Sequence, residues 1–171
     1  MRKIDYKALE EKVRKNEKQK LAVICYAQNN GNILFLHRKK EPFAGFLVPP
    51  GGHVEDGEHV EDAIRREFLE ETGLELVNLK LKMVTSEEGP EHYNWVLFIF
   101  TGSTLSDDFV ESEEGNLVWI KKEEVMQHNL SIIDKELFPY IMDGSDKIWF
   151  AKIKYNDEKS FEHLEINELN L

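Results

Sequence analysis

The segment GHVEDGEHVEDAIRREFLEETGL, residues 52–74, decides how the rest of the chain is read. Val60, Ile64 and Phe68 recur every four residues, giving one narrow apolar stripe, and predict a helix over residues 58–72. Asp56 or Gly57 is placed to cap its start. Glu58, Glu61 and Asp62 suit the positive end of the helix dipole, and Gly73 is a natural stop. Glu67, Glu70 and Glu71 then converge. At about 100° per residue they fall within roughly a third of the helix circumference, beside Ile64 and the small Ala63. Such a cluster is unfavourable by itself: like charges three or four positions apart cost about 0.2–0.5 kcal/mol per pair. The C-terminal half of a helix also disfavours negative charge. A hard divalent cation relieves the conflict, and Mg²⁺ takes carboxylate oxygens while keeping water and phosphate oxygens in its shell. The alternative is a solvated acidic face in a chain with 33 acidic residues. Gly51-Gly52 precedes the helix, and glycine lets backbone approach an ion or phosphate closely. Arg66 in isolation reads as a surface cation, able to reach Glu58 only if the chain bends back there.

Outward from this segment the chain alternates strands and helices. Leu21–Ala27 and Ile33–Leu36, around the Asn29-Asn30-Gly31-Asn32 turn, read as a β-hairpin. Glu41–Gly45 reads as a loop, Phe46–Val48 as a short strand and Pro49-Pro50-Gly51-Gly52 as a break. Strands are expected at Leu76–Ser86, Tyr93–Gly102 and Asn116–Lys121, then helices at Lys122–Gln127 and Ile132–Met142. A last pair of strands, Lys147–Tyr155 and Ser160–Ile166, flanks the Asn156-Asp157 turn. Apolar Ile4, Ala8, Leu9 and Val13 among charges predict a surface helix before all of these. The expected organisation is an N-terminal helical extension over residues 1–19 and a single domain over 20–171, with a mixed α/β (α+β) layer fold.

Composition removes several classes of function. With 171 residues, 41% hydrophobic content and 18 aromatics, the chain can build a full core. A net charge of −11 argues against strong nucleic-acid binding, which needs a basic patch. An acidic protein that handles phosphate esters needs something to offset mutual repulsion, and a bound divalent cation is one answer. The single cysteine, Cys25, lies in an apolar run and reads as core; its solitude fits a reducing cytoplasm. Neither an apolar run long enough to span a membrane nor a signal-like N-terminus is present, so a cytoplasmic location is expected.

Gly52, Glu58, Arg66, Glu67, Phe68, Glu70, Glu71, Gly73 and Leu74 stand at the fixed spacings of the Nudix box, and every constrained position is met. The chain therefore resembles Nudix hydrolases, most closely the bacterial MutT-like proteins. The resemblance implies a loop–helix–loop motif set into a mixed β-sheet sandwiched between helices (α/β/α). It implies Mg²⁺, with Mn²⁺ as the alternative, held by Glu67, Glu70 and Glu71 with the Gly52 carbonyl. Glu58 and Arg66 match positions that support and orient the box. The implied chemistry is cleavage of a diphosphate linkage, with the ion neutralising phosphate oxygens and a carboxylate taking a proton from water.

Beyond the box the resemblance is looser. Glu113 and Glu114, in the Ser112-Glu113-Glu114-Gly115 turn before Trp119, are candidates for the general base. Glu114 is preferred because this step resembles triphosphate-cleaving members; Glu88 and Glu91 are weaker candidates. Arg38 resembles the phosphate-contacting basic residue of many members, with Lys39 and Lys40 extending the basic patch, and an arginine fork suits phosphate oxygens. Gly51 and Asn129 complete the expected substrate contacts; the Asn129 amide is able to read a purine edge. The doubled Pro49-Pro50 departs from the single proline usual before the box. The expected activity is hydrolysis of a nucleoside triphosphate, 8-oxo-dGTP foremost, to the monophosphate and pyrophosphate. Alternatives are ADP-ribose, for which Pro90 speaks, a dinucleoside polyphosphate, for which Tyr93 speaks, and a non-catalytic nucleotide-binding domain. A small nucleotide is the expected partner, and a homodimer is compatible with the sequence.

Overall fold

Asn30 and Gly31 both adopt positive φ, 47° and 78°, the backbone that a two-residue hairpin turn requires. They join β1 (Lys20–Asn29) to β2 (Asn32–Arg38) in the computed structural model, which describes residues 19–170. The expected hairpin forms only beside the turn, where Gln28 pairs with Ile33 and Asn29 with Asn32. Both strands are apolar on both faces, and each takes partners of its own. β1 runs parallel to β6 (Trp95–Ser103) and antiparallel to β4 (Gly51–His53). β2 pairs antiparallel with β7 (Gly115–Lys121) and β3 (Leu47–Val48). β5 (Val77–Glu88) lies antiparallel to β6 and parallel to β8 (Trp149–Tyr155), and β9 (Phe161–Glu168) closes the far edge. The path across the sheet is β3-β2-β1-β6-β5-β8-β9.

Alternation along the strands feeds two cores. Val23, Cys25, Ala27, Leu34 and Leu36 face helix α1 (Val60–Thr72), which contributes Ala63, Ile64 and Phe68. Tyr26, Ile33, Phe35, Met83 and Ile99 face helix α2 (Ile132–Ile141), which contributes Leu137, Phe138 and Ile141. The mixed sheet between helices is the architecture expected from the sequence, and Cys25 is buried as expected of a core residue.

Several local expectations need correction. α1 starts at Val60 rather than Glu58; His59 is its N-cap and makes no side-chain capping bond. Glu58 instead sits in the turn before the helix, where its carboxylate accepts from the Glu55 amide at 3.0 Å. The Pro49–Gly52 break contains the start of β4, because Val23 and Ile24 on β1 offer the Gly52 and Gly51 backbones a ladder. Lys122–Gln127 is a 3₁₀ helix, while Ser131 caps α2 by accepting from the Asp134 amide. The helix expected over residues 4–19 lies outside the described residues except for Gln19. No helix among the described residues is long and apolar enough to cross a membrane.

Candidate active site

The buried stripe Ile64–Phe68 fixes the roll of α1 on the sheet, so Glu67 and Glu71 face β4. The Gly51 amide donates to Glu71 Oε2 at 3.2 Å. Glu67 lies against Gly52 so closely that a Cβ there would collide with its carboxylate; glycine is the residue that permits this approach. Gly73 ends the helix in the left-handed conformation, φ 73°, its amide bonded to the Leu69 carbonyl. Glu70 stands farther out: its side chain is 61% exposed against 18% for Glu67.

Arg66 ties this cluster together. Its Nε meets Glu58 Oε1 at 2.7 Å and its Nη2 meets Glu58 Oε2 at 3.0 Å, a two-pronged pair. Nη1 reaches Glu67 at 2.9 Å and Glu70 at 3.3 Å, and Nη2 donates to the His53 carbonyl at 3.1 Å. The reading of Arg66 as a surface cation is therefore wrong. The Glu55-Asp56-Gly57-Glu58 turn, with Gly57 at φ 79°, bends the chain back and delivers Glu58 to it. The hydrogen bond from Arg66 holds the Glu58 carboxyl down at about 2, and the same bond holds the guanidinium above its ordinary range. Glu55, 3.9 Å from Arg66, is a further acidic neighbour that the sequence reading did not single out; its position at the mouth of the Gly57 turn was the available signal.

Glu71 has the opposite character. Burial pushes its carboxyl up to about 8, partly offset by the Gly51 amide, while Glu114 and Glu67 raise it and Arg38 lowers it by their charges. A carboxyl in this state favours a proton or a cation over bare ionisation. The donors here are hard oxygens, and Glu67 and Glu71 adjoin neighbouring glycines. This set fits Mg²⁺ or Mn²⁺, which need few protein ligands when phosphate and water fill the shell. Among the described residues, no three carboxylate, imidazole or thiolate groups are already gathered as a complete cage.

Two loops bring in the remaining candidates. Arg38 Nη1 pairs with Glu114 Oε2 at 3.2 Å, and Arg38 Nε donates to the Lys40 and Pro42 carbonyls. The Lys39 amide donates to the Glu114 carbonyl, so the β2 end and the turn before β7 are locked together. Asn129 stands at the other side of the 39–46 loop: its Nδ2 donates to the Gly45 carbonyl at 2.9 Å, and its own carbonyl accepts from the Leu47 amide. The structure thus groups Gly51, Gly52, Glu58, Arg66, Glu67, Glu70 and Glu71 at the box. Glu114 and Arg38 pair with each other and act on Glu71 through their charges, and Asn129 braces the loop leading from Arg38. Pro90 and Tyr93 lie in the β5–β6 connection: the Pro90 carbonyl accepts from Asn94, and Tyr93 packs on Tyr155 and on Phe43 of the 39–46 loop.

Comparison with known proteins bears on this geometry. The model of the NUDIX domain matches residues 18–141. An uncharacterised Nudix hydrolase of Bacillus subtilis, YvcI, is 32% identical over 125 residues, covering 70% of this chain and 77% of its own. The nucleoside triphosphatase NudI of Escherichia fergusonii is 27% identical over 132 residues, 70% of this chain and 94% of its own. An ADP-ribose pyrophosphatase of Methanocaldococcus jannaschii is 48% identical, but over 54 residues, 32% of each chain. Among solved structures, a mutator MutT protein of Bacillus halodurans superposes with a TM-score of 0.75 at 27% identity, covering 86% of this chain and 97% of its own.

Proposed function

The chain belongs to the Nudix family and is a hydrolase of phosphoric anhydrides, and from that premise we propose that its substrate is a nucleoside triphosphate, cut to the monophosphate and pyrophosphate, with 8-oxo-dGTP foremost. The observation that carries this reading is the Arg38–Glu114 ion pair, whose two charges both act on the buried Glu71. From outside the box they bring a carboxylate and a guanidinium within electrostatic reach of the cluster on its helix, as a triphosphate chain and an attacking water need. Similarity to a nucleoside triphosphatase over 70% of this chain and 94% of that protein supports the triphosphate. The likeness to the ADP-ribose pyrophosphatase covers about a third of each chain and is the weaker support.

In this reading Glu67, Glu70 and Glu71, with the Gly52 carbonyl, hold Mg²⁺, with Mn²⁺ as an alternative. When bound, the ion supplies charge neutralisation at the diphosphate oxygens and polarises phosphorus. Arg66 and Glu58 lock α1 against the chain at His53, so that Glu67 and Glu71 stay facing β4. Arg38 presents its fork to phosphate oxygens, and Glu114, freed from Arg38 as the phosphates take that fork, accepts the proton of the attacking water. Gly51 and Asn129 complete the proposed substrate contacts.

A panel of 8-oxo-dGTP, ordinary nucleoside triphosphates, ADP-ribose and a dinucleoside polyphosphate, with Mg²⁺ present, tests the proposal. Pyrophosphate, orthophosphate, nucleoside monophosphate and ribose phosphate are assayed separately. Pyrophosphate release is expected, with kcat/KM for 8-oxo-dGTP about tenfold or more above that for dGTP, the discrimination a few directed hydrogen bonds provide. Ribose phosphate from ADP-ribose, with every triphosphate spared, would overturn it.

A further inference from the structure

Arg38 is held by the loop that follows it. Lys40 and Pro42 turn their carbonyls onto Nε at 3.0 and 2.7 Å, Nη1 meets Glu114, and Nη2 has no partner among the described residues. Nε carries one N–H, which the two carbonyls share, so the plane of the guanidinium follows the loop. Residues 39–46 form neither helix nor strand, and something outside the loop must hold it. Phe43, directly after Pro42, takes φ 70°. Bulky side chains seldom adopt this left-handed backbone, and it persists only where the surroundings enforce it.

A row of aromatic rings supplies the hold. The rings of Phe43 and Tyr93 have centres 5.6 Å apart, and Tyr93 meets Tyr155 edge-on at 4.9 Å, separations at which aromatic rings attract. The Tyr155 hydroxyl donates to Glu87 Oε2 at 3.3 Å, and Glu87 Oε1 accepts from the Thr85 hydroxyl at 2.7 Å. Tyr155, Glu87 and Thr85 are buried on β8 and β5, so the row is footed in the core. Its middle is braced as well. His92, before Tyr93, stands at φ 69° with its carbonyl taken by the Trp95 indole at 2.9 Å. Asn94, after Tyr93, bonds to Gly89 and Pro90. A Cβ at Gly89 would come within 2.8 Å of the Tyr155 Cβ and 3.0 Å of the Tyr93 Cβ; glycine is what lets the two tyrosines meet.

We propose that the Phe43–Tyr93–Tyr155 row is a pillar that positions the Arg38 guanidinium for the phosphates of the substrate. The rings fix residue 43, residue 43 fixes the Pro42 carbonyl, and that carbonyl together with that of Lys40 fixes the plane of the fork. Phe43 and Tyr93 are thus positioning residues that act through Arg38. The inference rests on the reading of Arg38 as the residue that takes the phosphates, and it adds the reason why the fork is in place before they arrive.

A double-mutant cycle tests this, with kcat/KM measured in Mg²⁺ on the panel substrate that the parent chain cleaves best. Phe43→Ala should lower kcat/KM about tenfold, the scale of loss that a displaced contact group brings. Tyr93→Phe keeps the ring and should stay within about twofold of the parent, and in an Arg38→Ala background Phe43→Ala should also change kcat/KM by less than about twofold, since the group it positions is gone. Should Phe43→Ala melt below the assay temperature, Phe43→Leu, which removes the ring but keeps an apolar side chain, takes its place in the cycle. An equal loss from the Phe43 variant in both backgrounds would overturn the pillar and leave Arg38 its role. So would parent-like kinetics of the Phe43 variant beside an impaired Arg38→Ala. Parent-like kinetics of Arg38→Ala would instead overturn the reading of Arg38 itself, and the pillar with it.

Discussion

The Arg66 guanidinium has five N–H donors in a fixed plane, and the fold spends them on Glu58, Glu67, Glu70 and the His53 carbonyl. Lysine has no such fork. Arg66→Lys should therefore behave much like Arg66→Ala, with kcat down about 10–100-fold, as for other residues that orient metal ligands. The Mg²⁺ concentration for half-maximal rate should move little in either variant; steady-state kinetics across a Mg²⁺ titration checks both statements. Gly52 makes a different point. A Cβ there meets the Glu67 carboxylate, and shifting a catalytic group by about 1 Å costs about 10²-fold in rate. Gly52→Ala should lose activity on that order with its melting temperature nearly unchanged. Spacing alone gave the identities of these residues. It did not give the Glu58–Arg66 pair, because two charges eight positions apart meet only when the Gly57 turn folds Glu58 back outside the helix.

Helix α1 is held by a single stripe, and Phe68 at its centre is fully buried between helix and sheet. Phe68→Ala should cost about 3–5 kcal/mol, read from the urea unfolding midpoint. The β5–α2 layer stores another kind of cost. Burial pushes the Glu87 carboxyl up to about 7, the Thr85 hydroxyl partly opposing it and Asp134 adding to it; Asp134 is itself raised to about 6 by burial. The folded chain thus keeps a proton on Glu87 that the unfolded chain releases at lower pH. Stability from this group is full below the ordinary carboxylate range, falls as pH rises to about 7 and levels off above. Glu87→Gln should narrow the difference in melting temperature between pH 5 and pH 8, as measured by thermal denaturation in matched buffers. This pocket was invisible to sequence reading. Glu87 and Glu88 look alike in a run of acidic residues; only strand alternation turns the first into the core and the second to solvent.

For the whole molecule, the prediction concerns the ion. A chelator should abolish turnover while circular dichroism stays that of the folded chain, and added Mg²⁺ should restore the rate. At about a hundredfold excess over its dissociation constant the ion should add about 2.7 kcal/mol of stability, visible as a rise in melting temperature. The resemblance to the Nudix box gave the class of chemistry; the sequence by itself determined most strands and helices, β4 excepted, and the box helix with its acidic face. These are local properties, set by side-chain period, turn residues and charge spacing within one segment. Tertiary structure alone decided which strands pair. β1 and β2 leave their hairpin after two residue pairs, and β8 adds itself to β5 in parallel from 65 or more positions away in the chain. It also decided that Arg38 and Glu114, 76 positions apart, meet within electrostatic reach of Glu71. Such contacts depend on how faces apolar on both sides are buried together, and that is a property of the assembled sheet rather than of any one stretch of it.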